Sequence, residues 1–592
     1  MLALLLLPGS LPWTPLAAAN RLAGHPSPYL ALHANDPVDW RVWGPDVFAE
    51  ARAGNRLVLV SIGYFSCHWC HVMQRESYQH AAVAELLNRR YIAVKVDREL
   101  HPDLDRRLLD FVEQLRGAAG WPLNVLLTPE GYPLTGFTYL PRADFQRVLE
   151  QLDAEWQQNH AALGASAREL FDSGLLQLYA GDQRAAQDLS AQQLVDAFTR
   201  HALESADQLQ GGFGNTSKFP NVPQLDALLD SLMLGTSANS EVAEFVQLSL
   251  QAMRSQNLLD HVNGGFFRYT TDPDWQTPHF EKMLYDNAML AALYLKAHRL
   301  WPLQGYADSA LQTLDFVEAR LGHPLGGYMS SLSAVDKAGR EGGAYLWSSE
   351  QLATLLDAEE LELLQQHWQR SEIDGDFLLR PRQTTANTAG AQSLRHIRRK
   401  LQIGNGASIP ADDKRLAAWN AMMLRALTLA ADSHPRFAER ARQHYARMLE
   451  LFFVDGELIR FAGNAQIFAA VFEDYAETAS AFLQYARRFD DQQALRLARR
   501  LVEDAHRRFY TQERWQAEEK PLIPVARGKW VMQDLVFYSP MTLWLRTALD
   551  LPGLDASVRD SAGNMLHRLT PSMMERPYYY GSFILLRARH PG

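Results

Sequence analysis

The sequence predicts a multidomain chain, an N-terminal α/β domain followed by an all-α toroid, and three observations point there. Short apolar runs alternate with helical segments between about residues 35 and 160. The only two cysteines among 592 residues, Cys67 and Cys70, stand three apart where one such run meets a helix. Beyond about residue 180 the strand signal nearly vanishes, and segments with apolar residues at helical spacing take over. A chain of this length is expected to need more than one core.

The first residues, MLALLLLPGSLPWTPLAAA, carry a leucine run and end in Ala17-Ala18-Ala19. That is the shape of an export signal, although no Lys or Arg precedes the run. Residues 1–19 are expected to be a signal segment, with the protein periplasmic or secreted if they are and cytoplasmic otherwise. No other stretch approaches the roughly 20 apolar residues of a membrane span. The composition, 47% apolar and 21% charged, is globular, and a net charge of −10 without basic stripes argues against a nucleic-acid partner.

Arg56–Ile62 reads as a buried parallel strand that leads through Gly63-Tyr64-Phe65-Ser66 into the helical segment CHWCHVMQRE. Tyr91–Val96 is a second strand, Leu104–Leu115 a helix, Leu123–Leu127 a third strand, and Asp144–Trp156 an amphipathic helix. A Cys-x-x-Cys pair at a helix N-terminus has a physical logic, because free N–H groups and the helix dipole stabilise a thiolate. Cys67 is expected to be the exposed nucleophile and Cys70 the resolving thiol. His68 and His71, as imidazolium neighbours, are expected to make the pair more oxidising. Pro122, after Gly120-Trp121, stands where a thioredoxin fold places a cis-proline. Two rival readings share these letters. CHWCH matches the c-type haem signature, but follows a strand in an α/β pattern; a zinc site lacks a second cysteine pair. No cofactor and no metal are expected. A thioredoxin-like site that no longer turns over stays open.

In the second part, Leu194–Gln208, Ala288–Leu300, Leu416–Asp432 and Ala476–Ala505 have helical spacing. Gly211-Gly212-Phe213, Gly264-Gly265-Phe266 and Gly326-Gly327-Tyr328 recur at the period of one helical hairpin, which implies six or seven hairpins. A closed toroid buries every apolar face, and an open solenoid is the alternative. The densest cluster of chemistry is Thr277–Asn287. Read as the start of a helix, it places Lys282 and Asp286 one turn apart as a pair, with His279 and Glu281 as acid–base groups and Tyr285 alongside. Asp412, Asp413, Glu473 and Asp474 are further carboxylates for glycoside chemistry, with Trp419, Asn420 and Tyr475 beside them. Each has a plainer reading as a cap or brace; Asp412-Asp413, for example, would cap the helix through Trp419.

NRLAGHPSPYLALHANDPVDWRVWG, SIGYFSCHWCHVM, KVDRELHPDLD and GWPLNVLLTPEGYP resemble the thioredoxin-like domain of the spermatogenesis-associated protein 20 family. GGFFRYTTDPDWQTPHFEKMLYDNAML, DDKRLAAWNAMM and FEDYAETASAFL resemble its C-terminal region. The resemblance implies a thioredoxin-like domain, residues 20–180, followed by an (α/α)6 toroid similar to six-hairpin glycosidases and N-acylglucosamine 2-epimerases, residues 181–592. The chain departs from the family pattern at SSLSAVDKAGREGGAYLW and near Tyr538-Ser539-Pro540, where an asparagine is missing. The function expected is thiol–disulfide oxidoreduction on a protein substrate, joined to a toroid that binds carbohydrate or positions that substrate. The alternatives are a carbohydrate-active epimerase or hydrolase with an accessory thioredoxin domain, and a non-catalytic scaffold.

Overall fold

The computed structural model describes residues 20–172, 189–235, 240–382, 391–404, 409–463, 466–511, 514–523 and 533–590. The expected signal segment and the expected boundary at 180/181 lie outside the described residues.

The N-terminal domain is built on a five-stranded sheet: β1 (Arg41–Val42), β2 (Val58–Gly63), β3 (Ile92–Asp97), β4 (Leu123–Leu127) and β5 (Pro133–Phe137), in the order β1-β3-β2-β4-β5. β1, β3 and β2 run parallel, while β4 and β5 are antiparallel. Every residue of β2, β3 and β4 is buried, which is why those three read as unbroken apolar runs. The edge strands β1 and β5 lack such runs and left no signal. The helix His68–Met73 follows β2 directly and continues as a π-turn, Gln74–Tyr78. Helix Pro102–Arg116 bridges β3 to β4, and the Trp121–Pro122 peptide bond just before β4 is cis.

Six inner helices form a closed ring in chain order: Val222–Leu234, Leu284–Leu300, Ala417–Ala430, Phe472–Phe489, Pro540–Asp550 and Gly581–Arg589, the last packing on the first. Their outer partners are, in turn, Ser240–Ser255, Tyr306–Arg320, Pro435–Phe452, Gln492–Phe509, Ala556–Met573 and Ala191–Glu204. Ala191–Glu204, first in sequence, packs on the last inner helix and so closes the (α/α)6 toroid. The sequence separates the two layers. Leu284–Leu300 is apolar on nearly all sides, as a helix enclosed by neighbours must be, while QQALRLARRLVEDAHRRF of Gln492–Phe509 keeps a charged outer face. The run Ala476–Ala505 is two helices rather than one. Asp490 turns left-handed at φ 51°, and the Asp491 carboxylate caps the next helix by accepting from the Gln493 and Ala494 N–H groups at 2.8 and 2.9 Å.

The Gly-Gly-aromatic signals are loops whose paired glycines all have positive φ, between 71° and 85°. Space fixes them as well: a Cβ on Gly265 would lie 2.3 Å from the Phe316 ring. Two of the loops carry the same brace. Lys218 Nζ donates to Asp207 and the Gly214 carbonyl, and Lys282 Nζ donates to Asp260 at 2.7 Å and the Gly264 carbonyl at 2.8 Å. The expected Lys282–Asp286 pair is therefore absent. Residues 282–283 form a strand and the helix begins only at Leu284, so the helical i,i+4 geometry does not exist there.

The two domains are joined through buried charge. Lys414 of the toroid reaches Asp97 at 2.9 Å and Glu99 at 3.2 Å at the end of β3, and also contacts Asp412. Arg460 Nε donates to the Glu99 carbonyl at 2.7 Å. Asp412 is thus an interface anion rather than a helix cap, and the helix at Ala417 starts from Leu416 without a side-chain cap; Asp413 faces solvent.

Candidate active site at the domain interface

Cys67 and Cys70 form a disulfide at the start of helix His68–Met73, where the Cys67 sulfur also accepts the Cys70 N–H at 3.2 Å. Gly63, the last residue of β2, lets Tyr29 and the Cys70 sulfur approach the backbone; a Cβ there would lie 2.2 Å from the Tyr29 hydroxyl and 2.7 Å from the sulfur. The expectation of an exposed Cys67 is corrected. Cys67 is 3% exposed and Cys70 1%, while Trp69 between them is 45% exposed. The residues that flank the pair meet the toroid. The Ala334 N–H donates to the Ser66 carbonyl, Ser66 Oγ donates to Met283 Sδ, and Glu341 lies 3.4 Å from His68 Nε2.

The histidines are also corrected. Burial pulls His68 down to about 4 and lowers His71, whose Nε2 is 2.8 Å from the Phe65 carbonyl. Burial disfavours the charged form of both, which works against the imidazolium expected to lower a thiol pKa. Across the interface the rings of His68 and His279 stand 6.1 Å apart. Glu341 lies between them, 3.4 Å from His279 Nδ1 as well, and burial raises its carboxyl to about 7.

Beside this group, Tyr64 of the N-terminal domain donates to both oxygens of Glu281, at 3.0 and 2.9 Å. Arg268 contacts the Tyr64 hydroxyl, lies 3.2 Å from Glu281 and donates to the Tyr285 hydroxyl at 3.1 Å. Its guanidinium and that of Arg98 both stack near the Tyr64 and Trp121 rings. Asp286, facing Arg268, Glu281 and Arg98, is raised to about 8, chiefly by burial. A carboxylic acid that keeps its proton near neutral pH is what a general acid requires.

The structure thus brings together Cys67, Cys70, His68, His279, Glu281, Tyr285 and Asp286, with Pro122 on the same side of the sheet's end through its neighbour Trp121. Trp419 and Glu473 line an adjoining cavity. The remaining candidates brace the fold. Asn420 clamps the backbone of Tyr328, Asp474 holds Arg460 and caps its own helix, and Tyr475 packs against Phe509 between two helices. Reading the sequence missed Tyr64, Arg98, Arg268, Glu341 and Lys414. Arg268 sits inside GGFFRYTTDP and Lys414 inside DDKRLAAWNAMM, but neither motif shows which domain its cation faces. Among the described residues there is no His/Cys/Asp/Glu group that could hold a metal, and no helix long and apolar enough to cross a membrane.

Comparison with known proteins places these features. Residues 19–174 match the family Thioredox DsbH, described as a protein of unknown function, DUF255. Spermatogenesis-associated protein 20 of Homo sapiens is 34% identical over 460 residues, 69% of this chain and 58% of the relative; that of Rattus norvegicus is 32% identical over 471 residues, 71% and 59%. The chain is a relative of spermatogenesis-associated protein 20. It spans under two-thirds of the length of these relatives. An uncharacterized Caenorhabditis elegans protein, B0495.5, is 34% identical over 57% of this chain and 48% of its own length. Among solved structures, cellobiose 2-epimerase from Spirochaeta thermophila has a TM-score of 0.45 at 14% identity, covering 68% of this chain and 95% of that one. The GH76 α-mannanase BT2949 of Bacteroides thetaiotaomicron has a TM-score of 0.42 at 9% identity, covering 68% and 96%.

Proposed function

We propose that the protein is a thiol–disulfide oxidoreductase of restricted access, in which Cys67–Cys70 is the redox pair and the toroid selects what reaches it. The observation that supports this reading is a buried, helix-capping disulfide whose flanking residues Ser66 and His68 meet toroid residues Met283, Ala334 and Glu341. Sulfurs buried to this degree are expected to react with small thiols faster than with a folded protein. In the reaction a small thiolate attacks Cys67 Sγ, the Sγ–Sγ bond breaks, and Cys70 leaves as the thiolate and takes a proton. A second small thiol then displaces the first from Cys67 as a disulfide. Two electrons and two protons end on the cysteines. The helix N-terminus stabilises the Cys67 thiolate in the reverse direction.

Equilibration of the native protein in glutathione buffers, followed by alkylation and mass measurement, tests the reading. The two cysteines are expected to titrate together as one two-electron couple, and Cys67→Ser to remove the couple. A pair that stays oxidised under native conditions and reacts only after unfolding would refute it.

A second reading, carbohydrate acid–base chemistry in the toroid, is favoured by Asp286, protonated near neutral pH beside Glu281 and Arg268. Loss of sugar turnover in Asp286→Asn with Cys67→Ser unaffected would support it over the first.

A further inference from the structure

The thiol–disulfide steps leave one buried hydroxyl beside the pair unused, that of Tyr29. Its short helix, Pro28–Leu32, is anchored to the sheet: Ser27 caps it by accepting the Leu30 N–H at 3.2 Å, and the Ser27 hydroxyl donates to Asp97, the last residue of β3, at 2.6 Å. The ring packs edge-on to His33, with centres 5.1 Å apart. Tyr29 is 1% exposed, and its hydroxyl has no hydrogen-bond partner.

That hydroxyl stands beside Cys70. At Gly63 a Cβ would lie 2.2 Å from Tyr29 Oη and 2.7 Å from Cys70 Sγ, so the two atoms are no more than about 5 Å apart.

We infer that Tyr29 is a positioning residue for the redox pair, whose hydroxyl donates a hydrogen bond to the Cys70 sulfur once the disulfide opens and so stabilises the reduced form. The inference rests on the redox reading of Cys67–Cys70. It supplies the resolving sulfur with the kind of donor that the helix gives Cys67, which accepts the Cys70 N–H at 3.2 Å.

The two redox states treat the hydroxyl differently. A neutral sulfur is a weak acceptor and a thiolate a strong one, so reduction gives Tyr29 a partner that oxidation withholds. A buried donor left unpaired costs free energy, so both effects favour the reduced pair. The other polar groups nearby are engaged elsewhere. Lys95 Nζ donates to Ser61 Oγ at 2.9 Å and lies near the Tyr29, Trp40 and Tyr78 rings. His71 Nε2 is 2.8 Å from the Phe65 carbonyl, and the Tyr78 hydroxyl is bonded to Ser61 and Asn124. Burial, with Tyr78, Asp97 and Asp36 close by, holds the Tyr29 hydroxyl well above the ordinary tyrosine value, so it keeps its proton. The proton that settles on Cys70 is the one the small thiol released on becoming the attacking thiolate.

Glutathione equilibration of the full chain, with thermal melts of the oxidised forms, tests the inference. Tyr29→Phe is expected to need about 10-fold more reducing buffer for half reduction, a potential about 30 mV more negative, while its oxidised form melts no lower than the wild type. Tyr78→Phe, which removes a hydroxyl already bonded, is expected to lower the melt and leave the potential unchanged. A hydroxyl with a merely structural role shifts both redox states together and moves no potential. An unshifted potential in Tyr29→Phe, or an equal shift in Tyr78→Phe, overturns the inference. Should Tyr29→Phe fail to fold, the crystal structure of the reduced wild type decides: Tyr29 Oη within hydrogen-bonding distance of Cys70 Sγ supports the inference, and a hydroxyl still without a partner overturns it. A wild-type pair that does not titrate removes the redox reading and this inference with it, whereas one that titrates beside an unshifted Tyr29→Phe removes this inference alone.

Discussion

The Gly-Gly-aromatic loops and the domain interface both bury lysine, and they use it differently. At the loops, Lys218 and Lys282 each serve one carboxylate and one glycine carbonyl, an arrangement shared by two of the three loops and complete in itself. At the interface, Lys414 answers Asp97, Glu99 and Asp412 together, and burial leaves Glu99 raised to about 8. The first pattern braces a repeat. The second joins two domains around an excess of acid, and that excess continues into Glu281, Asp286 and Glu341. The difference teaches that local pairing braces a single repeat here, while shared and incompletely satisfied charge marks the seam between the two domains.

Lys414→Met breaks this comparison most directly. It strands two or three buried carboxylates, and is expected to cost about 3–5 kcal/mol, read as a lowered urea midpoint with the domain interface lost first. Lys282→Met follows at about 3 kcal/mol, since Asp260 is fully enclosed. Lys218→Met is expected to cost less, because the Asp207 side chain is 17% exposed and can hydrate. Equal costs at the two loops would show that solvent does not set the scale.

Asp286 sharpens the comparison through pH. Its carboxyl is raised from the usual 3.8 to about 8, so between those values the folded state holds a proton that the unfolded chain has released. The contribution of Asp286 to stability therefore falls as pH rises from about 4 to 8. Asp286→Asn is expected to flatten that fall in thermal melts across the same window, and an unchanged slope would mean that Asp286 is ionised. The smallest effect is expected from Tyr64→Phe, about 1–2 kcal/mol, for the hydroxyl shared by Glu281 and Arg268.

Much of the fold was legible because it rests on local signals. β2, β3 and β4 are buried on both faces and read as apolar runs, and each glycine pair marks a turn that needs positive φ. The break at Asp490–Asp491 was hidden because the apolar spacing continues across it. Cys67, Cys70 and Pro122 were readable as a motif, but their burial was not. Around them Ser66 and His68 meet Ala334 and Glu341, more than 260 residues away, and Tyr64 meets Glu281 across 217. The lowered histidines follow from burial as well, since desolvation is a property of the folded chain rather than of CHWCH.

The central claim is that the redox pair is competent but screened. Its most direct test is the rate at which native Cys67–Cys70 is reduced by a small dithiol, compared with the rate for a folded protein dithiol of matched potential. Reduction by the small dithiol is expected, with the folded protein slower by orders of magnitude and the difference erased when Lys414→Met loosens the domains. Equal rates in the wild type would contradict it, as would a pair that neither reagent reduces.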